Sequence, residues 1–163
     1  MFIVKWLLVA VAVLAVAAIG AGQLGLLQSS APADIGVRDG RLKPPSATDN
    51  SVTSQAGLYP DHPQRAYAAV EPLALRGDGP ATLAKIKAIV EGMPGAQVVK
   101  STPDYLYVQY TTTLMKFVDD VEFWFDPGAQ TVQVRSASRV GKSDIGVNRK
   151  RVDAVRAALA AAP

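Results

Sequence analysis

Alternation of apolar and polar residues with a period of two begins at Ala96 and continues to about Val140. Successive side chains of a β-strand point to opposite faces, so this period predicts strands. Turn-forming residues divide the region into four candidate strands, at 96–101, 105–113, 118–126 and 131–140. The connections between them are short, which predicts successive antiparallel hairpins, because parallel strands need long crossover connections.

Other elements flank these four strands. Residues 66–75 are predicted as a first strand, and Pro80 suits the first turn of a helix whose apolar residues recur at helical spacing, namely Leu83, Ile86, Ile89, Val90 and Met93. A final helix is predicted from about Asn148 to Ala161. The order β-α-β-β-β-β-α predicts an α+β fold, an antiparallel sheet of about five strands with both helices on one face.

The N-terminal segment is apolar. No charged residue occurs from Trp6 to Ala33, and the apolar run is long enough for a membrane helix, which needs about 20 residues. We expect residues 1–27 to form a transmembrane anchor or uncleaved signal, although Ala31-Pro-Ala33 would suit a cleavage site. Residues 28–65 are expected to be an extended lead-in, rich in Pro and Ser, that belongs to the domain, and residues 66–163 its compact α+β part.

Positive charges flank the apolar segment on both sides. Lys5 precedes the segment, whereas Arg38, Arg41 and Lys43 follow it, so the positive-inside count does not favour export of the domain. The minimal basic head directly before the apolar run is nevertheless typical of export signals. We therefore expect a single-pass protein of the cell membrane, with its domain in the periplasm.

Composition argues against several functions. The chain has no cysteine, so disulfides, thiol catalysis and cysteine zinc sites are excluded. Its net charge is only +3 and it has no nucleic-acid-reading motif, so we expect no nucleic-acid partner. The single histidine, His62, lies in a proline-broken loop, and no hydrolase, phosphate-loop, zinc or dinucleotide motif appears. We expect no cofactor and no metal.

The last hairpin allows a register to be predicted. If Asp126 and Thr131 close the hairpin, the opposed pairs include Phe125 with Val132, Phe123 with Val134, Glu122 with Arg135, and Asp119 with Ser138. Asp120 then lies diagonally near Arg139 or Arg135. A slip of one residue would reverse the two faces of the hairpin.

The segment 135–156 is the most basic, with seven positive side chains against two negative ones. Guanidiniums suit carboxylate or phosphate, so one hypothesis is that Arg135, Arg139 and Arg149 converge on an anion beside a helix start capped by Asn148. The hypothesis that we favour for Arg135 is a cross-strand ion pair with Glu122 that only organises the sheet. The candidate ligand-binding residues are Arg135, Ser138, Arg139, Ser143, Asp144, Asn148 and Arg149, supported by the carboxylates of Asp119, Asp120 and Glu122.

Three functions fit these observations. The leading hypothesis is a non-catalytic envelope domain that binds a small, anionic or lipid-like ligand or a protein partner. The second is a hydrolase or transferase that uses Asp119 or Asp120 with Ser136, Ser138 or Ser143, since acid–base chemistry needs such carboxylates. Adjacent aspartates on a strand point to opposite faces, which weakens this alternative. The third is a purely structural envelope module, in which every arginine is paired internally.

Two motifs resemble a known family. Phe117-Val-Asp-Asp-Val-Glu-Phe123 and Val134-Arg-Ser-Ala-Ser-Arg-Val-Gly141, followed by Ser143-Asp-Ile-Gly-Val-Asn-Arg149, closely resemble the domain of unknown function 1499 family (DUF1499). The resemblance runs from about Ile35 to Leu159. It implies a small α+β domain behind a membrane segment or export signal, similar in topology to TATA-binding-protein-like and helix-grip folds, and it implies no activity. Family members commonly carry two cysteines at positions that match Pro45 and Ser51 here, so any disulfide or metal role of that loop is absent from this chain.

Overall fold

The computed structural model describes residues 2–162, so Met1 and Pro163, the outer ends of the predicted anchor and compact domain, lie outside the described residues. Helix α1 (Phe2–Gln23) is long and apolar enough to cross a membrane. Its residues 2–18 are exposed, whereas residues 19–22 are partly or fully buried against the rest of the chain. A helix that is apolar on all sides is typical of a membrane span and also of a signal sequence.

Six strands form one antiparallel sheet in the order β1-β6-β5-β4-β3, and β2 also pairs with β6. The strands are β1 (Ser51–Thr53), β2 (Leu73–Ala74), β3 (Ala96–Ser101), β4 (Tyr105–Thr111), β5 (Val118–Asp126) and β6 (Thr131–Ser138), and a 3-10 helix at Ala56–Leu58 follows β1. The predicted α+β class and the four consecutive hairpin strands are confirmed. The sheet has six strands rather than about five because two short segments pair with β6.

The register of the β5–β6 hairpin is also confirmed. Every opposed pair predicted from the sequence is present, including Glu122 with Arg135. The turn is stabilised by Asp126, whose Oδ1 accepts hydrogen bonds from the backbone amides of Gly128 and Ala129, at 3.0 and 3.1 Å. Because the turn fixes the register, it also decides which side chains share a face of the sheet.

Helices α3 (Gly79–Glu91) and α4 (Val147–Ala161) pack together on one face of the sheet. Pro80 lies in the first turn of α3, and Asp78 caps this helix by accepting a hydrogen bond from the amide of Ala81 at 2.7 Å. The apolar side of each helix packs against inward-pointing strand residues. This core includes Leu83, Ile86, Val90, Leu106, Val108, Val121, Phe123, Val134, Val152, Val155 and Leu159.

The structure differs from the prediction in the region before α3. Residues 66–75 do not form a continuous strand, because Arg65–Ala68 is a one-turn helix, α2, and Leu73–Ala74 alone pairs with β6. The alanines of this segment have little preference for strands, and Pro72 lacks the amide that a sheet ladder requires. Ser51–Thr53 lies within the lead-in, where no strand was predicted, yet it forms β1 and is fully buried. Because Ser51 and Thr53 are polar, the segment has no apolar pattern from which a strand could be predicted.

The lead-in covers the sheet face opposite the helices. We call residues 28–47 the strap. Leu42 of the strap packs against Tyr105 and Tyr107, and the amide of Gly36 donates a hydrogen bond to Glu122 Oε1 at 2.7 Å. Both faces of the sheet are therefore covered, and polar side chains on the strap side are buried as well.

Candidate functional site

A cavity of about 340 Å³ lies between the strap and the sheet. We call it the strap cavity. Its sheet wall contains Asp120, Arg135, Ala137, Ser138 and Arg139, and its strap wall contains Pro32 and residues 43–47. Three of the lining side chains are cationic, those of Lys43, Arg135 and Arg139, whereas Asp120 alone among the lining residues is anionic. The cavity therefore has an excess of positive charge.

Arg139 forms a two-pronged ion pair with Asp120 in the wall of this cavity. Its Nε donates to Asp120 Oδ2 at 2.8 Å, and its Nη2 donates to Asp120 Oδ1 at 2.6 Å. The hydroxyl of Tyr107 donates to the same carboxylate. The hydrogen bonds with Asp120 raise the pKa of Arg139. The predicted diagonal contact between Asp120 and Arg139 is thus confirmed, and the charge of Arg139 is already matched.

Arg135 is different. Its side chain is buried, with the residue 3% exposed, and its Nε donates to the carbonyl of Pro44 at 3.2 Å. Within residues 2–162, no carboxylate oxygen lies within 4.0 Å of its guanidinium. Burial lowers the pKa of Arg135, but a guanidinium stays charged in proteins. Arg135 is therefore a buried cation without an ion-pair partner in the described part of the chain.

The predicted ion pair between Glu122 and Arg135 is not formed, although the two residues are directly opposed. Glu122 instead accepts hydrogen bonds at Oε1 from the amide of Gly36 and from the hydroxyl of Tyr105, both at 2.7 Å. Its Oε2 has no hydrogen-bond partner among the described residues. Burial raises the pKa of Glu122, which favours its neutral form. The charges of Glu122 and Asp120 act to raise the pKa of Arg135, but burial outweighs them, and neither carboxylate lies within 4.0 Å of the Arg135 guanidinium.

A second polar cluster lies on the helix side of the sheet. Arg151 of α4 forms an ion pair with Asp119 at 2.6 Å and donates to the side-chain oxygens of Ser136 and Asn148, at 3.0 and 2.6 Å. Asn148 in turn donates to Ser138 Oγ at 3.0 Å. Buried polar groups that satisfy one another in this way lock a helix to a sheet. This cluster connects β5, β6 and α4.

Several predicted site residues lie away from the strap cavity. Arg149 donates to the backbone carbonyls of residues 67 and 69 on the helix side, so it does not converge with Arg135 and Arg139. Asn148 is not the helix cap, because its side chain turns into the cluster with Ser136. Asp144 instead accepts hydrogen bonds from the amides of residues 146 and 148, at 2.9 and 3.0 Å. Ser143 is exposed in the loop and accepts a hydrogen bond from the amide of residue 145.

The sequence prediction also missed two residues, one in the strap cavity and one in the helix-side cluster. Lys43 reaches the cavity with the strap and pairs with Asp34 at 2.7 Å, and no sequence pattern places the strap on the sheet. Arg151 could have been found, because it follows Asn148 by three residues and so shares its side of the helix. In residues 2–162, no group of three or more His, Asp or Glu side chains has an arrangement that could hold a metal.

The fold and this site define a class of protein, an α+β domain that follows an apolar helix and has an arginine-lined cavity under an N-terminal strap. Residues 41–159 match the family described as protein of unknown function (DUF1499), and the chain belongs to this family. The resemblance noted in the sequence motifs is thereby confirmed. No curated protein and no solved structure matches the chain.

Proposed function

We propose that this chain is a single-pass membrane protein whose domain binds a small anionic group in the strap cavity. The group would be a phosphate, sulfate or carboxylate, carried by a small molecule or by a lipid. The observation that carries the proposal is Arg135, which is buried in the cavity wall with no carboxylate within 4.0 Å among the described residues.

The energetics of burial support this proposal. Removing a guanidinium from water costs several kcal/mol unless an opposite charge and hydrogen bonds compensate it, and the carbonyl of Pro44 satisfies one N–H group of Arg135. An anion in the cavity would supply the missing charge and accept hydrogen bonds from the planar guanidinium. The cavity volume of about 340 Å³ is near the lower end for ligand pockets, about 300 Å³, which suits a group of headgroup size.

Titration of the detergent-solubilised full chain with sulfate tests the proposal by calorimetry. Wild type is expected to bind sulfate, and Arg135→Met to bind it more weakly by about 10-fold or more. The matched control is Arg41→Met, because Arg41 is an exposed arginine of the strap outside the cavity lining, and this variant should bind as wild type does. Equal sulfate affinity of wild type and Arg135→Met would refute anion binding at this site.

Membrane anchoring is proposed from α1, which has the length and composition of a span. The placement of the domain outside the cytoplasm rests on the short basic head at Lys5, before the apolar run. A reporter fused to the C-terminus tests this orientation in cells. Activity of a periplasm-dependent reporter is expected, and activity of a cytoplasm-dependent reporter alone would overturn the orientation.

The catalytic alternative has less support. Asp119 lies on the helix side with Ser136 and Ser138, whereas Asp120 lies on the strap side, and each aspartate is bound by an arginine. Ser143 is exposed in the loop before α4. Asp119, Ser136 and Ser138 therefore share the helix-side cluster, but Arg151 and Asn148 already bind them, and no observation favours a reaction over binding. The purely structural alternative requires every arginine to be paired, and Arg135 argues against it.

A further inference from the structure

The last turn of α1 contacts one end of the domain. The side-chain amide of Gln23 donates to the backbone carbonyls of Thr113 and Leu114, at 3.0 and 2.9 Å, in the turn between β4 and β5. Gly22 lies so close to this turn that an added Cβ would be 2.6 Å from the carbonyl oxygen of Met115. Residues 2–18 of α1 are exposed and make no such contact. The β4–β5 turn is therefore held at the C-terminal end of the apolar helix.

This contact fixes the level of the domain relative to a membrane. The 22 residues of α1 span about 33 Å, close to the roughly 30 Å of a bilayer hydrocarbon core. If α1 crosses the membrane, Gln23 lies at the water interface, and the turn within hydrogen-bond distance of Gln23 lies there too. Strands β4 and β6 both run antiparallel to β5, so the β6–α4 loop, residues 139–146, lies at the same end of the sheet.

Exposed apolar side chains are concentrated at this end. Outside α1 and the residues that directly follow it, six large hydrophobic side chains of the described chain are exposed. Four of the six lie in the β4–β5 turn, in the β6–α4 loop or at the start of α4, and they are Leu114, Val140, Ile145 and Val147. Ile145 is 86% exposed and Leu114 is 57% exposed. Scattered single residues would need no explanation, but a cluster at one end marks an interaction surface.

Lysines accompany the apolar side chains at this end of the sheet. Lys116, Lys142 and Lys150 lie beside the four apolar residues, and Lys142 and Lys150 are exposed. The opposite end carries Asp104 and Asp126, which flank the β3–β4 and β5–β6 turns, together with Lys100 near the end of β3. Apolar side chains surrounded by lysines are the composition that inserts at the boundary of headgroups and acyl chains, and lysines favour anionic lipids.

We infer that the end of the domain formed by residues 112–117 and 139–147 is a membrane-contact surface. Its partner is the anionic bilayer that α1 enters, with Leu114 and Ile145 inserted at the headgroup boundary and the lysines beside lipid phosphates. The inference rests on the proposed anchoring by α1, and it is independent of anion binding in the strap cavity. The contact would hold the domain flat against the membrane instead of leaving it tethered by a free linker.

The absence of cysteine from the sequence allows a direct test, because a single introduced cysteine takes a fluorescent label at one place. Full-length variants Leu114→Cys, Ile145→Cys, Val13→Cys and Ala129→Cys are labelled with a polarity-sensitive dye and reconstituted into bilayers that contain phosphatidylglycerol. Lipids with a spin label on the acyl chain then quench any dye at the membrane. Ala129 is the control, because it is exposed in the β5–β6 turn at the far end of the sheet.

We expect acyl-chain quenching at positions 13, 114 and 145, with none at position 129, and protection of positions 114 and 145 from aqueous iodide. Quenching at position 13 without quenching at 114 and 145 would overturn the contact surface and leave the anchoring intact. No quenching at position 13 would overturn the anchoring and this inference with it. In Ile145→Cys, the added change Lys116→Glu with Lys142→Glu should reduce quenching, and unchanged quenching would refute the role of the lysines.

Discussion

Replacing Arg135 with methionine is expected to leave the protein at least as stable as wild type in anion-free buffer, although the residue is buried. The substitution removes one hydrogen bond, from Nε to the carbonyl of Pro44, worth about 1 kcal/mol. It also removes a buried cation that has no carboxylate within 4.0 Å in the described chain. Replacing buried ion pairs or triads by apolar side chains of similar volume can stabilise a protein by about 1–4 kcal/mol, and we expect a lone buried guanidinium to follow the same range. The expected net change lies between no effect and a gain of about 3 kcal/mol in the free energy of unfolding.

Arg139→Met provides the matched comparison, because it removes the same group from the wall of the same cavity. The carboxylate of Asp120, with its side chain 2% exposed, would lose its two-pronged partner and stay buried. Breaking a buried pair costs about 3–5 kcal/mol, and the remaining hydrogen bond from Tyr107 keeps the expected loss near the lower limit, about 3 kcal/mol. The free energies of unfolding of the two variants should therefore differ by about 3 kcal/mol or more, because Arg139→Met loses stability whereas Arg135→Met loses none.

Urea unfolding of the full chain in detergent measures this difference. Trp124 of β5 packs against the cluster that contains Leu42 of the strap, so its fluorescence reports loss of that contact, and a Trp6→Phe background removes the signal of α1. Sulfate at 100 times the wild-type dissociation constant should then stabilise wild type by about 2.7 kcal/mol and Arg135→Met by about 1.4 kcal/mol or less, since the variant is expected to bind about 10-fold or more weakly. If Arg135→Met loses as much stability as Arg139→Met, Arg135 is a structural residue and the argument for an anion in the cavity fails.

Three other substitutions have expected outcomes. Burial raises the pKa of Glu122 above its usual 4.5, so the contribution of Glu122 to stability is full below that pH and is lost as pH rises through the folded-state pKa. In urea unfolding across pH, Glu122→Gln should lack this loss. A pH profile identical to that of wild type would contradict the reasoning. Burial acts to raise the pKa of Asp144, but hydrogen bonds, of which that from Tyr67 is the largest, lower the pKa below 3.8. The carboxylate of Asp144 therefore stabilises the fold above pH 3.8, and this stabilisation is lost as pH falls through the folded-state pKa. At neutral pH, Asp144→Asn should cost about 1–2 kcal/mol in urea unfolding, and a cost that persists at low pH would refute the assignment. Gly95→Ala should lower the free energy of unfolding by about 2 kcal/mol or more in the same assay. Gly95 has a φ of +75°, and an added Cβ would lie 2.4 Å from the carbonyl oxygen of Thr111. A variant as stable as wild type would disprove this close approach.

The hairpins could be predicted from the sequence because their contacts are local. In the β5–β6 hairpin a short turn at 127–130 joins two alternating segments, so one correct turn fixes the partner of every residue from 119 to 138. The helices α3 and α4 follow from apolar spacing for the same reason, since each stripe lies within one element. Local signals of this kind were enough for the α+β class.

The strap could not be predicted, because its contacts are between residues far apart in sequence. Gly36 and Glu122 are 86 residues apart, and the strap has no apolar period that would reveal which face it covers. The division of the basic segment 135–156 between the two sides of the sheet could not be predicted either. The side chains of Arg135 in β6 and of Arg139 just after it lie on the strap side of the sheet. The chain then turns and places Arg149 and Arg151 on α4, on the opposite side of the sheet. Proximity in sequence therefore overestimated how many of these arginines share one site.

The strap also connects the two proposed surfaces. The carbonyl of Ser29 accepts a hydrogen bond from Arg139 Nη1 at 2.8 Å, and Ser29 follows the end of α1 at Gln23 by six residues. Six extended residues reach at most about 20 Å, so this wall of the strap cavity lies within that distance of the helix end that we place at the membrane surface. Phospholipid headgroups are concentrated at that level by the bilayer, whereas a free solute is not. Among the anions that could compensate Arg135, this geometry favours an anionic lipid headgroup.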